Sequence, residues 1–437
     1  MQDHRMEYKQ KICTVQQAVQ MVKSGDRVYV GTCSSIAYTL CDALADRENE
    51  LENVMISCSQ YRRPSRFFDE RARGHFDFRS YFMGVEERTA LSAAHGDFTS
   101  VHLSQIDRWC RATVQPNVAF LEVSACDENG YMSFGASGVA LHRLISQIAD
   151  TVILQVNRNV PYVYGEDNLI RCSQAACIVE ADNELDAIPE PGADKAVQAL
   201  SKFIIDLIPD GATIQLGLGG LATAVGYGLR EKNDLGIHSE LMSDVMMHLM
   251  KEGVVTNRKK TYFPGKTVAS FALGSRELYE FMDHNPDLYF MPFTKVNEPS
   301  LIARNDNMIS INTAMAIDLF GQVAADSLGF HQQSGTGGQV DFVRGAQQAK
   351  NGKSFFAITS TVTKKDGTRM SRITLSFPPG TAVTTPRSDV QYIATEFGCV
   401  DLKPLSMKDR IHAMISLAHP DFREQLRDEA REAGIIL

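Results

Sequence analysis

The chain has 437 residues and a formal net charge of -9, and this acidic balance without a basic stripe argues against a nucleic-acid-binding role. Its hydrophobic and charged contents, 44% and 22%, are typical of a soluble globular protein, and its length predicts two domains. No apolar run reaches membrane-spanning length, and the polar first residues predict no signal peptide.

Helix-type and strand-type patterns alternate through the first half. We predict helices over residues 15–24 and 38–45, and strands over residues 27–30, 54–57, 76–83, 118–123 and 151–156. Strands that alternate with helices predict a mostly parallel sheet. Residues 188–193 are rich in Pro and Gly, so we place a boundary there, between domains 1–190 and 191–437.

Three arginines follow the strand over residues 54–57. Arg62, Arg63 and Arg66 stand just after Gln60 in the predicted strand-to-loop exit. Such a cluster can bind a carboxylate or a phosphate. More often such a cluster forms a solvated, ion-paired loop, and the residues leave both interpretations open.

The most informative stretch covers residues 213–240. After a helix over residues 193–208, it predicts a strand over 213–216, a glycine turn, and a helix over 221–229. A short strand over 235–237 then leads to Glu240, just before a helix over 242–251. A strand, a glycine turn and a helix together bind anions, because free backbone N–H groups meet the positive end of the helix.

This stretch has three interpretations. It fits a dinucleotide fingerprint, in which Glu240 binds a ribose hydroxyl. Alternatively the turn holds a pantetheine or phosphate chain, and Glu240 is a nucleophile. In the third interpretation the glycines only allow a helix to pack closely on a strand. A lone glycine motif does not decide among them.

A second glycine loop lies further along the chain. Gly335, Gly337 and Gly338 can turn several N–H groups toward one point, as an oxyanion requires, or they form a flexible surface loop. Around this loop we predict strands over residues 268–273, 288–291, 308–312, 355–359, 372–377, 381–384 and 390–394. The end, residues 408–434, is helical with a break at His419-Pro420.

Seven segments in order carry a resemblance to a known family. They are Tyr8-Lys-Gln-Lys, Asp127-Glu-Asn-Gly-Tyr-Met-Ser-Phe-Gly, Gln215-Leu-Gly-Leu-Gly-Gly, Gly236-Ile-His-Ser-Glu-Leu-Met-Ser-Asp, Ser310-Ile-Asn-Thr-Ala, Ser334-Gly-Thr-Gly-Gly-Gln-Val-Asp-Phe and Ile415-Ser-Leu-Ala-His-Pro-Asp-Phe-Arg. Over nearly its whole length the chain resembles family I coenzyme A-transferases of the 4-hydroxybutyrate / butyryl-CoA:acetate branch, within the acetyl-CoA hydrolase/transferase family. The resemblance disfavours the dinucleotide interpretation.

The resemblance implies a fold and a set of site residues. The fold is α/β, with two similar open domains of the CoA-transferase (NagB/RpiA-like) type and an active-site cleft between them. Glu240 matches the covalent nucleophile, Asn297 a residue near the reacting carbonyl, and Gly338 an N–H donor to the oxyanion. The implied coenzyme A contacts are Gln215, Leu216, Gly217, Leu218, Gly219, Met315 and Gly337.

The same resemblance implies transfer of coenzyme A from 4-hydroxybutyryl-CoA or butyryl-CoA to acetate, or the reverse. The alternatives are an acyl-CoA hydrolase and a transferase for a dicarboxylate such as succinate or itaconate. Residues 31–35, Gln60 and residues 135–137 are candidates for the acyl pocket by their strand-end position. Because the steps are acyl exchanges with little proton transfer, we interpret His238 as structural rather than as a general base.

The expected partners are an acyl-CoA and a short carboxylic acid, without nucleic acid or membrane. Coenzyme A is expected as a substrate, with no metal and no nucleotide redox cofactor. The resemblance implies a homodimer or a larger homo-oligomer. The 9 cysteines are scattered without a Cys-x-x-Cys pair, which indicates reduced thiols and a cytoplasmic location.

Overall fold

The computed structural model describes residues 4–436 as an α/β protein with parallel sheets, which confirms the predicted fold class. The first three residues of the polar N-terminus lie outside the described residues. The chain forms two compact units. The first comprises Met1–Pro189, Glu240–Asp244 and Val268–Val296, and the second comprises Glu190–Ser239, Val245–Thr267 and Asn297–Leu437.

The chain leaves the first unit next to the predicted boundary and later returns to it twice. The predicted division into consecutive halves does not include these returns. One of them carries Glu240, which the prediction assigned to the C-terminal half. The reason is a short tertiary strand pairing, described below, that no local pattern indicates.

The elements up to residue 189 build the first sheet. The helices are α1 (His4–Lys11), α2 (Val15–Val19), α3 (Tyr38–Ala45), α4 (Val85–Ser92), α5 (Ile106–Trp109), α6 (Gly135–Gly138) and α7 (His142–Ile148). The strands are β1 (Arg27–Thr32), β2 (Val54–Ser59), β3 (Phe76–Ser80), β4 (Asp97–Phe98), β5 (Val118–Val123), β6 (Tyr131–Ser133), β7 (Thr151–Val156), β8 (Leu169–Arg171) and β9 (Cys177–Glu180). Seven strands form one parallel sheet in the order β4-β3-β2-β1-β5-β7-β9.

The middle of the chain alternates between the two units. Its helices are α8 (Lys195–Ile205), α9 (Gly220–Gly228), α10 (Asp244–Lys251), α11 (Arg276–Met282) and α12 (Phe293–Val296). Its strands are β10 (Thr213–Leu216), β11 (Gly236–Ile237), β12 (Leu241–Met242), β13 (Thr267–Ala269), β14 (Phe271–Ala272) and β15 (Leu288–Phe290).

The remaining elements complete the second unit. The helices are α13 (Pro299–Ile302), α14 (Gln339–Gln348), α15 (Met407–Leu417) and α16 (Pro420–Glu432). The strands are β16 (Met308–Thr313), β17 (Ala316–Asp318), β18 (Val323–Ala324), β19 (Ser327–Leu328), β20 (His331–Gln332), β21 (Lys353–Ala357), β22 (Thr361–Thr363), β23 (Arg369–Ser371), β24 (Ile373–Thr374), β25 (Tyr392–Thr395) and β26 (Gly398–Asp401). The second sheet has the order β11-β10-β16-β21-β25-β26, and only its last pair is antiparallel.

Each unit has its own apolar core. Buried side chains of the first core include Val28, Ile56, Phe78, Phe120 and Ile153. Those of the second include Val343, Phe356, Ile393, Ile411 and Met414. Two separate cores agree with the size limit on a single core. Within residues 4–436, no helix is both long and apolar enough to cross a membrane.

The strand predicted over residues 372–377 is shortened to β24, and two further predicted strands differ from the structure for identifiable reasons. The strand over residues 268–273 is interrupted at Ser270, because its amide donates to the Glu240 carbonyl and its hydroxyl to the Met291 carbonyl. Residues 381–384 form no strand in the part of the chain that is described. There the Thr384 hydroxyl accepts the Ala325 amide, so a side chain replaces a strand ladder.

The helices α13 and α14 pack together at Gly345. A Cβ atom at Gly345 would lie 2.6 Å from Cβ of Ile302 and 3.1 Å from the carbonyl oxygen of Pro299. These distances leave no room for a methyl group. The glycine therefore allows the close approach of two helices that begin just after Asn297 and Gly338.

We predict that Gly345→Ala lowers the free energy of unfolding by about 1–3 kcal/mol, because the methyl group overpacks this contact. Urea unfolding followed by circular dichroism measures the change. Gly192→Ala is the matched control, since a Cβ atom there meets nothing within 4 Å. Equal unfolding midpoints for the two variants would contradict the prediction.

Candidate active site

Glu240 lies immediately before β12, and a neighbouring segment holds its backbone. The amides of Ser270 and Phe271 both donate to the Glu240 carbonyl, at 3.0 and 3.1 Å. Strand β12 then pairs in parallel with β14. The Glu240 residue is half-buried. Two donors on one carbonyl oxygen fix the backbone position from which the predicted nucleophile projects.

A pair of buried serines lies beside this ladder. The hydroxyl oxygens of Ser34 and Ser137 are 2.7 Å apart, and they lie 3.3 and 3.0 Å from the Ala272 carbonyl oxygen. Ala272 pairs with Met242, two residues after Glu240. Two of the segments that the sequence suggests for the acyl pocket therefore contact the strand that flanks Glu240, all within the first unit.

Two strained residues follow β1 and β2 at the carboxyl edge of the first sheet. Cys33 and Gln60 have φ angles of 53° and 51°, which side chains other than glycine rarely adopt. The Cys33 sulfur lies 3.7 Å from Oε1 of Gln60. Backbone strain of this kind concentrates at functional sites, and the carboxyl edge of a parallel sheet is where α/β proteins bind ligands.

Ion pairs engage two of the three arginines after Gln60. Nε of Arg63 lies 3.0 Å from the Asp186 carboxylate, and Arg66 pairs with Asp46. Arg62 is exposed, and none of the ion pairs found among residues 4–436 includes it. The interpretation as an ion-paired loop therefore fits Arg63 and Arg66.

The predicted anion turn of the second unit faces open space. A Cβ atom at Gly217 or Gly219 would meet nothing within 4 Å, and Gly219 has a φ of 108°. Leu218 is exposed and Leu216 is buried. The Gln215 side chain is also buried, and its Oε1 accepts hydrogen bonds from β16. The backbone of this turn is thus available to a ligand, whereas the Gln215 side chain ties β10 to β16.

The second glycine loop ends at the start of α14. Gly337 has a φ of 58°, and Gly338 is the residue before the helix. Nε2 of Gln339 donates to the Thr313 carbonyl at 3.0 Å, which ties the loop to the carboxyl end of β16. The first N–H groups of a helix have no partner inside the helix, so they suit the predicted oxyanion contact.

A cavity of about 330 Å³ lies at the same edge of the second sheet. Its lining includes Met315, Leu221 and Arg372. Nε of Arg372 donates to the Met315 carbonyl at 3.0 Å, and the guanidinium also binds the Ala314 carbonyl. Burial lowers the pKa of Arg372, and the Glu396 carboxylate opposes that change. The predicted coenzyme A contact Met315 thus lines a cavity at the carboxyl edge of this sheet.

Asn297 and His238 are both fully buried. Asn297 lies between α12 and α13 in the chain. The His238 ring centroid lies 6.0 Å from that of Tyr262 and 6.1 Å from that of Phe342. This aromatic packing supports the interpretation of His238 as structural.

The sequence patterns did not predict a buried lysine that follows Glu240 by 20 residues. Lys260 donates to the carbonyl oxygens of Ile237 and Lys266, at 2.7 and 2.6 Å. Burial lowers its pKa to about 7. Two consecutive lysines, Lys259 and Lys260, are typical of a solvated surface. No sequence signal therefore distinguishes Lys260 from an exposed lysine.

The structure groups the predicted site residues in two sets. Glu240 and the acyl-pocket segments belong to the first unit. The residues Gln215, Leu216, Gly217, Leu218, Gly219, Asn297, Met315, Gly337 and Gly338 belong to the second. The assembly of both sets into one active site stays a prediction.

Comparisons with known proteins identify the family. Residues 1–190 match the acetyl-CoA hydrolase/transferase N-terminal domain, and residues 274–430 match the corresponding C-terminal domain. The chain is 38% identical to a succinyl-CoA:cyclohexane-1-carboxylate CoA transferase of Geobacter metallireducens, over 99% of this chain and 98% of that protein. It is 37% identical to a 4-hydroxybutyrate coenzyme A transferase of Clostridium kluyveri, over 97% and 98%.

A solved structure shows the same fold. RipA from Yersinia pestis superposes with a TM-score of 0.92 at 34% sequence identity, covering 99% of this chain and 100% of that one. The sequence matches and the structural superposition both span almost the entire chain, so they include both sheets. The chain belongs to the acetyl-CoA hydrolase/transferase family.

Proposed function

We propose that this protein is a CoA-transferase that moves coenzyme A from 4-hydroxybutyryl-CoA or butyryl-CoA to acetate, or in the reverse direction. Family membership and the names of the relatives support transfer of coenzyme A between acids. One observation carries the residue assignment. The Glu240 carbonyl accepts the amides of Ser270 and Phe271, and the Ser34–Ser137 pair contacts Ala272 in the same short segment, so the half-buried residue Glu240 and two segments suggested for the acyl pocket share one backbone ladder.

The proposed reaction proceeds by acyl exchange on Glu240. The carboxylate attacks the thioester carbonyl, the C–S bond breaks, and an acyl-glutamyl anhydride and a CoA thiolate form. The thiolate attacks the glutamyl carbonyl, which releases the first acid and leaves a glutamyl-CoA thioester. Acetate then attacks this thioester, and the thiolate finally takes the acetyl group and regenerates Glu240. No water or proton is consumed overall.

Each exchange passes through an oxyanion. The proposed donor is the Gly338 amide at the start of α14, and Asn297 is proposed to lie near the reacting carbonyl. Loss of one such donor typically costs about 2.7–4 kcal/mol of transition-state stabilisation. The proposed coenzyme A contacts are the backbone of residues 215–219, Met315 and Gly337, because the turn and the Met315 cavity are open to a ligand.

The proposal extends to setting and assembly. The nine cysteines are all free thiols, which supports a reducing, cytoplasmic location. A homodimer or a larger homo-oligomer is proposed from the family resemblance alone. Coenzyme A takes part as a substrate, and the proposed reaction requires no metal or nucleotide redox cofactor.

We predict that Glu240→Ala lowers kcat about a thousandfold or more, because it removes the nucleophile. The same change should abolish inactivation by borohydride in the presence of acyl-CoA, since this reagent reduces a glutamyl thioester. Glu424→Ala, at an exposed helix position, is the control and should behave as the unmodified protein. Near-full activity of Glu240→Ala would show that another residue is the nucleophile.

Acetate dependence separates transferase from hydrolase. We predict that turnover of butyryl-CoA requires acetate and follows ping-pong kinetics, because a carboxylate must accept the activated group. Release of free CoA with and without acetate measures this directly. Equal rates in both conditions would mean that water intercepts the intermediate and that the protein is a hydrolase.

A dicarboxylic acyl group is the second candidate substrate, and Arg62 favours it. Arg62 is exposed, and its amide lies 3.4 Å from the Tyr38 hydroxyl. Burial raises the pKa of Cys33 to about 11, while the charge of Arg62 acts against this. This guanidinium therefore stands near the strained end of β1, where it is suited to a second carboxylate.

If the acyl group is a dicarboxylate, Arg62→Ala should lower the preference for succinyl-CoA over butyryl-CoA about tenfold, the effect of losing one charge-assisted hydrogen bond. The ratio of kcat/KM for the two substrates measures the preference. Arg66→Ala is the control, because Arg66 already pairs with Asp46. An unchanged ratio in Arg62→Ala would show that this residue does not contribute to specificity for the acyl group.

A further inference from the structure

Lys260 is a buried lysine without an acidic partner in the described part of the chain. It is 4% exposed, and its ammonium group donates only to two backbone carbonyls, those of Ile237 and Lys266. Burial of a lysine without a carboxylate is costly, so such residues are rare in proteins. Its hydrogen bonds to these two carbonyls are therefore the interactions that offset the cost of burying it.

Asn257 makes a second connection between the same two segments. Its Oδ1 accepts the Ile237 amide at 2.9 Å, and its Nδ2 donates to the Thr267 hydroxyl at 2.9 Å. Thus Ile237 is held through both its amide and its carbonyl, and the partner segment is held at residues 266 and 267. We call Lys260 and Asn257 with these contacts the buried clamp.

The clamp leaves no room for a side chain at position 236 of β11. A Cβ atom at Gly236 would lie 2.4 Å from Cγ of Lys260. The lysine stem therefore packs directly on the backbone of the strand that it holds. This glycine belongs to the Gly236-Ile-His-Ser-Glu240 segment, which carries part of the family resemblance.

Both clamped segments lead to Glu240. Ile237 precedes Glu240 by three residues, and Lys266 precedes Ser270 by four. The amides of Ser270 and Phe271 donate to the Glu240 carbonyl, and β12 and β14 continue the pairing. The two segments are thus connected by the clamp before Glu240 and by backbone hydrogen bonds at Glu240 itself.

We propose that Lys260 is a positioning residue for Glu240, which holds the two segments in the register that presents this carboxylate to the acyl-CoA. The inference rests on the proposed function, in which Glu240 is the nucleophile. Lysine suits the role because one flexible amine with several N–H donors bridges carbonyls of two different segments. Methionine has a similar length but no donor, so it would fill the space without the bridge.

The test compares Lys260→Met with Lys11→Met. Lys11 has the same pattern elsewhere, since its ammonium group donates to the Ser173 and Ala175 carbonyls, both at 2.6 Å. The readout is the single-turnover rate of glutamyl-CoA formation, followed by mass spectrometry of the peptide that contains residue 240. We expect Lys260→Met to slow this rate about 10- to 100-fold, the effect of a small misplacement of a reacting group.

In Lys260→Met the acyl-CoA concentration for half-maximal rate should stay within about twofold, because the clamp acts on the reacting group. Lys11→Met should keep the unmodified rate. A rate in Lys260→Met equal to that of Lys11→Met overturns the inference. So does an equal weakening of acyl-CoA binding, or an equal loss of rate in both variants.

A milder variant covers the case in which Lys260→Met does not fold. Thr267→Val removes the hydroxyl that Asn257 contacts at nearly constant volume, and we expect about a threefold to tenfold slower rate. An unchanged rate in Thr267→Val, with Lys260→Met unfolded, also overturns the inference. Retained activity of Glu240→Ala would instead remove the proposed function, so the two failures are distinguishable.

Discussion

Two backbone amides on one carbonyl oxygen are the constraint on which the candidate site depends. Ser270 and Phe271 hold the Glu240 carbonyl, and residues 240–244 belong to the first unit, although the chain on either side belongs to the second. A strand of two residues has little stability of its own. Its position therefore depends on the packing around it, including the Ser34–Ser137 pair on Ala272.

Buried polar side chains hold the backbone of the segments that lead to this contact. Buried serines, a buried asparagine and a buried lysine all bind backbone carbonyl or amide groups near the segment of Glu240. Each hydrogen bond contributes modestly to stability, but an unsatisfied partner is expensive. Such networks specify one arrangement, which suits the nucleophilic role proposed for Glu240.

The second unit provides open backbone in addition to its buried polar contacts. Gly217 and Gly219 face free space, and the cavity beside Met315 is bounded by the carbonyls that Arg372 holds. Glycine turns and helix starts offer N–H groups without side chains in the way. Open backbone of this kind fits the proposed chemistry, in which a long thioester substrate binds along the backbone while one side chain reacts.

The sequence by itself determined the alternation of helices and strands, the parallel sheets and both glycine turns, because these depend on local periodicity and on glycine, and its motifs read in order carried the proposal for Glu240. Only the tertiary structure decided that Glu240 belongs with the first unit, that the strand over residues 268–273 breaks at Ser270, and that Lys260 is buried. These features depend on contacts between residues about 20 to 30 positions apart. Local propensity does not predict such contacts. Lysine is usually a surface residue, and Ser270 lies in a stretch whose pattern predicts an uninterrupted strand.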